Sequence, residues 1–201
     1  MDCTEILTRQ RSYFAENFTK TYLHRLTTLT NLETLLKENE ELFLDALLRD
    51  LGKSREEAFM MEIGNVYQEI SFIKRHLKRW MKDERVKTPL TLIGSKGFIR
   101  SEPYGNVLVI APWNYPFQLA LVPLIGAIAS GNTVVLKPSE LAPHTAQALN
   151  QVLSRFREEI IAVVEGDKDA TTELLKQKFD YIFFTGSSHV GRIVMELRRS
   201  I

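Results

Sequence analysis

The chain has 201 residues, 44% of them hydrophobic and 25% charged, which is ordinary globular composition with enough apolar residues for a good core. With 26 Lys and Arg against 25 Asp and Glu, the net charge of +1 excludes the broad electrostatic field that nonspecific nucleic-acid or membrane-surface binding needs. One cysteine, Cys3, excludes an intramolecular disulfide and a zinc site built on several thiolates, so no metal is expected and a reducing, cytoplasmic setting fits.

The opening MDCTEILTRQ carries two acids in its first five residues and no apolar segment, unlike a signal peptide. Residues 117–130 are the most apolar stretch. They fall short of the ~18 residues that cross a bilayer and contain Gln118 and Pro123, so they read as a buried helix and no membrane span is expected.

Residues 2 to 82 have helical periodicity and no Pro. Tyr22, Leu26, Leu29, Leu32 and Leu36 form one stripe. After Gly52, Ser54 and Glu57 have capping-box spacing, and Phe59, Ile63, Val66, Ile70, Ile73, Leu77 and Trp80 recur at alternating steps of four and three. That pattern predicts one long amphipathic helix, its early Glu56 and Glu57 and late Lys74, Arg75, Lys78 and Arg79 matching the helix dipole. The basic residues around Trp80 admit a nucleic-acid patch as a minor alternative, but a solvated helix end accounts for the same charges, and no nucleic-acid partner is expected.

Between Arg85 and Pro103 the pattern changes to VKTPLTLIG and GFIRSEP, separated by turn residues around Gly94 and Gly97, which predicts a projecting β-hairpin. From Gly105 onward short apolar runs alternate with helical stretches. Strands are predicted at 107–110, 133–136, 160–164 and 181–184. Helices are predicted at 117–129, from Pro143, near 171–178 and from His189. Four apolar strands alternating with helices specify an α/β fold, a doubly wound parallel sheet covered on both faces.

Ligands of such sheets bind beyond the carboxyl ends of the strands. After the first strand, Pro112 and Pro116 stiffen a turn holding Trp113 and Asn114. That turn is either a packing device or a mount for an amide that stabilises an oxyanion. After the second strand, Lys137 and Glu140 are either a surface ion pair or the donor and acceptor for two ribose hydroxyls. After the fourth, Gly186, Ser187 and Gly191 lead into a helix amino terminus, where free N–H groups favour phosphate. Arg192 and Ile193 stand where a P-loop needs Lys and a hydroxyl, so NTP hydrolysis is not expected. His24 and His76 read as packing or surface residues, His144, after a helix-starting Pro, reads as exposed, and His189 lies near enough to assist at the phosphate.

Together GNVLVIAPWNYPF, GNTVVLKPSE and DYIFFTGSSHVGRIVM resemble, in order and spacing, the aldehyde dehydrogenases, most closely their class 3-like, fatty-aldehyde branch. The likeness covers nearly all of residues 1–196. It implies a helical amino-terminal part (1–85), a dimerisation-type hairpin (86–103) and an incomplete Rossmann-like NAD(P)-binding part (104–201). Members of the family oxidise aldehydes to carboxylic acids. A cysteine thiolate attacks, hydride passes to nicotinamide, and a glutamate-activated water hydrolyses the thioester. By resemblance Asn114 stabilises the oxyanion, Lys137 and Glu140 hold the adenosine ribose, and Gly186 and Ser187 form the pyrophosphate turn. Ala111 and Trp113 line the cofactor cleft, and Val190 packs near adenine. The implied cofactor is NAD, with NADP possible, the implied substrate a small-molecule aldehyde, and the intact form a homodimer.

The family continues into a Leu-Gly-Gly-Lys segment bearing the general-base glutamate and a catalytic domain bearing the cysteine. Here the one LGK, at 51–53, lies between amino-terminal helices, and the one cysteine is Cys3. The ending MELRRSI also departs from the family pattern, as a truncated or misread frame does. The expectation is therefore a chain inactive by itself, marginally stable and aggregation-prone. The alternative is a noncatalytic remnant that binds a dinucleotide or another subunit.

Overall fold

The computed structural model describes residues 3–199. Five amino-terminal helical segments come first: α1 (Cys3–Ala15), α2 (Tyr22–Glu38), α3 (Glu40–Leu51), α4 (Arg55–Ala58) and α5 (Gly64–Trp80). A parallel sheet follows, built of β3 (Asn106–Ile110), β4 (Thr133–Lys137), β5 (Ile161–Val163) and β6 (Tyr181–Phe184) in the order β5-β4-β3-β6. Its connections are α6 (Gln118–Ala129), α7 (Pro143–Leu153) and α8 (Lys168–Leu175), and α9 (Ser188–Arg199) follows β6. The predicted 171–178 helix thus begins earlier, because Asp167 caps it by accepting the N–H groups of Asp169 and Ala170.

Alternation along each strand divides the core between the two faces of the sheet. Val107, Val109, Val134, Leu136, Ile161 and Val163 face the larger core, shared with α2, α3, α5, α6 and α7. Leu108, Ile110, Val135, Ala162 and Val164 face the smaller one, shared with α1, α8 and α9. The expected cover on both faces holds except at β6, where Tyr181 and Phe183 stay exposed because β6 forms one edge of the sheet. The stretch 117–130 forms a largely buried helix as expected, with Ser130 exposed at its end, and α6 runs through Pro123.

Two predictions are corrected. The long helix does form, with Ser54 Oγ accepting the Glu57 N–H at 3.2 Å, but Phe59–Ile63 is a π-turn. A π-turn takes one extra residue, so moving back from Ile63 the inward position is Ala58 rather than Phe59. Ala58 is fully buried and Phe59 exposed, as is Trp80 at the far end. The hairpin is also smaller than its sequence suggests. Only β1 (Glu84–Val86) and β2 (Gly97–Ile99) pair, antiparallel, with Val86 opposite Gly97. Pro89 cannot donate to a ladder, and a 3-10 turn at Leu90–Leu92 occupies the run expected to be strand.

The ending singled out in the sequence begins within α9, and its residues 200 and 201 lie outside the described residues. Among the described residues no helix is long and apolar enough to cross a membrane, and no group of His, Cys, Asp or Glu is arranged to hold a metal.

Candidate functional site

The sheet's strand order puts three chemistry-bearing turns side by side. Ile110 at the end of β3 pairs with Lys137 of β4 on one side and Phe184 of β6 on the other. The turns that follow these residues therefore leave one edge of the sheet together. Beyond the strand ends, the Ala111 N–H still bonds the Lys137 carbonyl at 3.0 Å and the Thr185 N–H bonds the Ile110 carbonyl at 3.2 Å. These bonds tie the three turns to one another.

Of the first turn, Ala111 is buried while Trp113 and Asn114 are exposed. Pro112 and Pro116 bracket it, and the buried Phe117 anchors its far end by packing on Phe43, with ring centroids 4.7 Å apart. In the second turn, Lys137 is an almost fully buried cation at the end of β4. Its Nζ donates to the Pro138 carbonyl at 2.7 Å and meets Glu140 Oε2 at 3.4 Å. The Lys137 side chain is 2% exposed and that of Glu140 46%, so a plain surface ion pair does not describe them. Burial pushes the lysine below its ordinary range, opposed by the charge of Glu140. A compact cation beside a half-open carboxylate presents a donor and an acceptor together, the chemistry that a vicinal diol accepts.

In the third turn, Ser187 immediately precedes α9. Its Oγ accepts the Val190 N–H at 3.3 Å, and its carbonyl accepts the Gly191 N–H at 2.9 Å. The earlier N–H groups of the first helical turn have no intrahelical acceptor by construction, and the helix dipole points the same way. A Cβ at Gly186 would lie 2.5 Å from Cζ of Phe184, so glycine lets the chain pass that ring into the helix without moving it. Val190 and His189 are exposed on the first turn. A donor–acceptor pair, a glycine turn and a free helix amino terminus along one sheet edge fit the ribose and pyrophosphate of a dinucleotide.

The histidines fall where the sequence suggests, with one difference. His144 is half-buried rather than exposed, and its backbone N–H bonds Asp50 Oδ1 at 3.1 Å. His24 meets Tyr13 Oη at 2.9 Å, and His76 stacks on Trp80. Among the basic residues near Trp80, Lys74 is paired with Glu33 at 2.8 Å. A cavity of about 900 Å³ lined by Arg25, Trp80, Glu102 and Tyr104 lies toward the amino ends of the strands, away from the three turns.

Sequence reasoning missed Lys53 and Glu62, both buried beside the Asn114 turn. The one available signal was a glutamate one position from the apolar stripe of a long helix.

Residues 2–200 match the aldehyde dehydrogenase family over their whole length. The chain belongs to that family. It is 44% identical over 187 residues to the 4,4'-diaponeurosporen-aldehyde dehydrogenase of Staphylococcus aureus, covering 92% of this chain and 41% of the relative. To mouse aldehyde dehydrogenase family 3 member B1 it is 46% identical over 190 residues, covering 94% and 41%. The chain thus spans about two-fifths of the length of the curated relatives it matches. Among solved structures, the substrate-bound S. aureus AldH superposes with a TM-score of 0.97 at 41% identity, covering all of this chain and 44% of that one. The P. syringae indole-3-acetaldehyde dehydrogenase AldA, in complex with NAD+ and IAA, superposes with a TM-score of 0.84 at 28% identity, covering 99% and 41%. The aldehyde dehydrogenase fold of the helical part, hairpin and parallel sheet is therefore the one expected from the sequence.

Proposed function

We propose that this chain is the dinucleotide-binding part of an NAD(P)-dependent aldehyde dehydrogenase, with residues 1–85 as its helical part, 86–103 as a subunit-contact hairpin and 104–201 as the cofactor fold. The observation that carries the reading is the meeting of the three turns at the ends of β3, β4 and β6. Lys137 donates to and Glu140 accepts from the adenosine ribose. Gly186 and Ser187 bring the amino terminus of α9 to the pyrophosphate, while Ala111, Trp113 and Val190 line the cleft. Glu140 repels a 2′-phosphate and so favours NAD over NADP. The bound nicotinamide supplies a hydride acceptor.

Asn114 is the residue of this chain that acts on the aldehyde. Its amide N–H donates to the carbonyl oxygen as negative charge develops there. Aldehyde oxidation also needs a thiolate and a base within hydrogen-bond reach of the reacting carbon. The one cysteine, Cys3, instead packs in the smaller core among α1, α8 and α9, so the 201-residue chain by itself is assigned no turnover. A reducing, cytoplasmic setting suits a chain with one thiol.

Titration of NAD+ and NADH followed by calorimetry tests the assignment. The chain is expected to bind both, and Lys137→Met to weaken binding about tenfold, the effect of roughly 1.4 kcal/mol. Failure of the folded wild-type chain to bind either dinucleotide at millimolar concentration would sink it. A second reading, a noncatalytic subunit-binding remnant, is favoured by the exposed Val86, Leu92, Ile93, Phe98 and Ile99 of the hairpin. Light scattering of the chain mixed with a full-length relative separates the two readings.

A further inference from the structure

Glu62 is fully buried on the inner side of the π-turn, and its carboxylate is shared between two elements. Oε2 accepts the backbone N–H groups of Phe117 at 2.9 Å and Gln118 at 3.1 Å, the donors that open α6. Oε1 accepts from Lys53 Nζ at 2.6 Å. The same ammonium donates to the Asn114 carbonyl at 3.2 Å and lies 4.1 Å from the centroid of the Tyr115 ring. Lys53 arrives there because Gly52 ends α3 in the left-handed conformation, φ 66°, and releases the chain toward the turn.

The pair therefore grips both ends of one short segment, the Asn114 carbonyl at one end and the first amides of α6 at the other. Pro116, inside this segment, has no N–H to hold it from within. A buried ion pair repays its desolvation only when its remaining donors and acceptors are also satisfied, and here the satisfying groups belong to the turn. We propose that Lys53 and Glu62 are positioning residues that, as one ion pair, set the backbone from Asn114 to Gln118 and with it the place from which the Asn114 amide acts. The proposal rests on the assignment of Asn114 for its functional meaning.

Site-resolved amide exchange on the 15N-labelled chain tests it. In the wild type, the amides of Phe117 and Gln118 have no intrahelical acceptor, yet they are expected to be protected about as well as Leu121 inside α6. Exchange at the rate of exposed amides would overturn the proposal without any variant. In the double variant Lys53→Met, Glu62→Gln, which removes both charges at nearly constant volume, protection at Phe117 and Gln118 is expected to fall at least about tenfold. Protection at Val109 and Leu136 should hold.

Trp113 fluorescence, read in a Trp80→Phe background, is expected to become more quenchable by acrylamide in that variant. Unchanged Trp113 quenching and loop protection in the folded double variant would refute the proposal. So would a uniform loss of protection, which marks a purely structural pair. These readouts do not depend on what Asn114 does. Replacing Asn114 by Ala, with NAD binding and loop protection intact, lets an intact relative's turnover test that separate assignment.

Discussion

Gly186 is a crowded position of the third turn. Its missing side chain leaves the space into which the Phe184 ring packs, at 2.5 Å from where a Cβ would stand. Gly186→Ala is expected to cost about 1–3 kcal/mol, the usual range for overpacking, and to weaken dinucleotide binding further by displacing the start of α9. Urea denaturation and NADH titration on the same sample check both effects.

Lys137 behaves in the opposite way. Its lowered pKa means that folding penalises the ammonium, so the folded chain releases the proton before the unfolded chain does. Stability therefore rises with pH as the pH climbs from the depressed value toward the ordinary 10.5. Lys137→Met is expected to be at least as stable as the wild type at neutral pH, and its advantage to shrink in alkali while NAD binding falls. A clear loss of stability at pH 7 would contradict this account.

His24 sets a second pH dependence. Burial, reinforced by the neighbouring Arg25, holds it below its ordinary value of 6.5. The unfolded chain thus takes up a proton first, and the contribution is present above pH 6.5 and lost as pH falls through the depressed value. His24→Gln should flatten the stability profile below pH 6.5, measured by urea midpoints at each pH.

At the scale of elements, helix ends are held by residues far away in sequence. Asp50, in α3, accepts the N–H groups of His144 at 3.1 Å and Thr145 at 2.7 Å, together with the Thr145 hydroxyl at 2.7 Å. It caps α7 across 94 residues, as Glu62 caps α6 across 55. Asp50→Ala is expected to destabilise the chain by about 1–2 kcal/mol, at the upper end for a lost cap because three donors lose their acceptor. Exchange in the first turn of α7 should rise more than in α5. The strands were legible because each is a continuous apolar run, and the capping-box spacing at Ser54 was legible because it is local. The π-turn was not, since inserting one residue into a helix leaves its composition unchanged and only the burial of Ala58 and Glu62 reveals the shift.

At the scale of the whole molecule, the sheet ends at β6 with Tyr181 and Phe183 exposed, and Ile193 and Met195 on α9 are exposed as well. An uncovered strand edge beside apolar side chains is a template for association. Phe183→Lys is expected to lower light scattering on incubation and to leave the urea midpoint nearly unchanged, since neither core depends on that side chain. Equal scattering from both chains would remove the edge as the cause.

The sequence by itself determined the family, the alternation of strands and helices and the three turn motifs, because each of these is a local pattern of residue types. Tertiary structure alone decided that the turns meet. Strand order, which places β3 between β4 and β6, is set by crossover connections and shared cores rather than by any one segment. It alone also decided that Lys53 and Glu62 meet the Asn114 turn, since partners separated by 61 and 55 residues leave no spacing to read. A buried charge goes to whichever unsatisfied backbone groups the packing brings within reach.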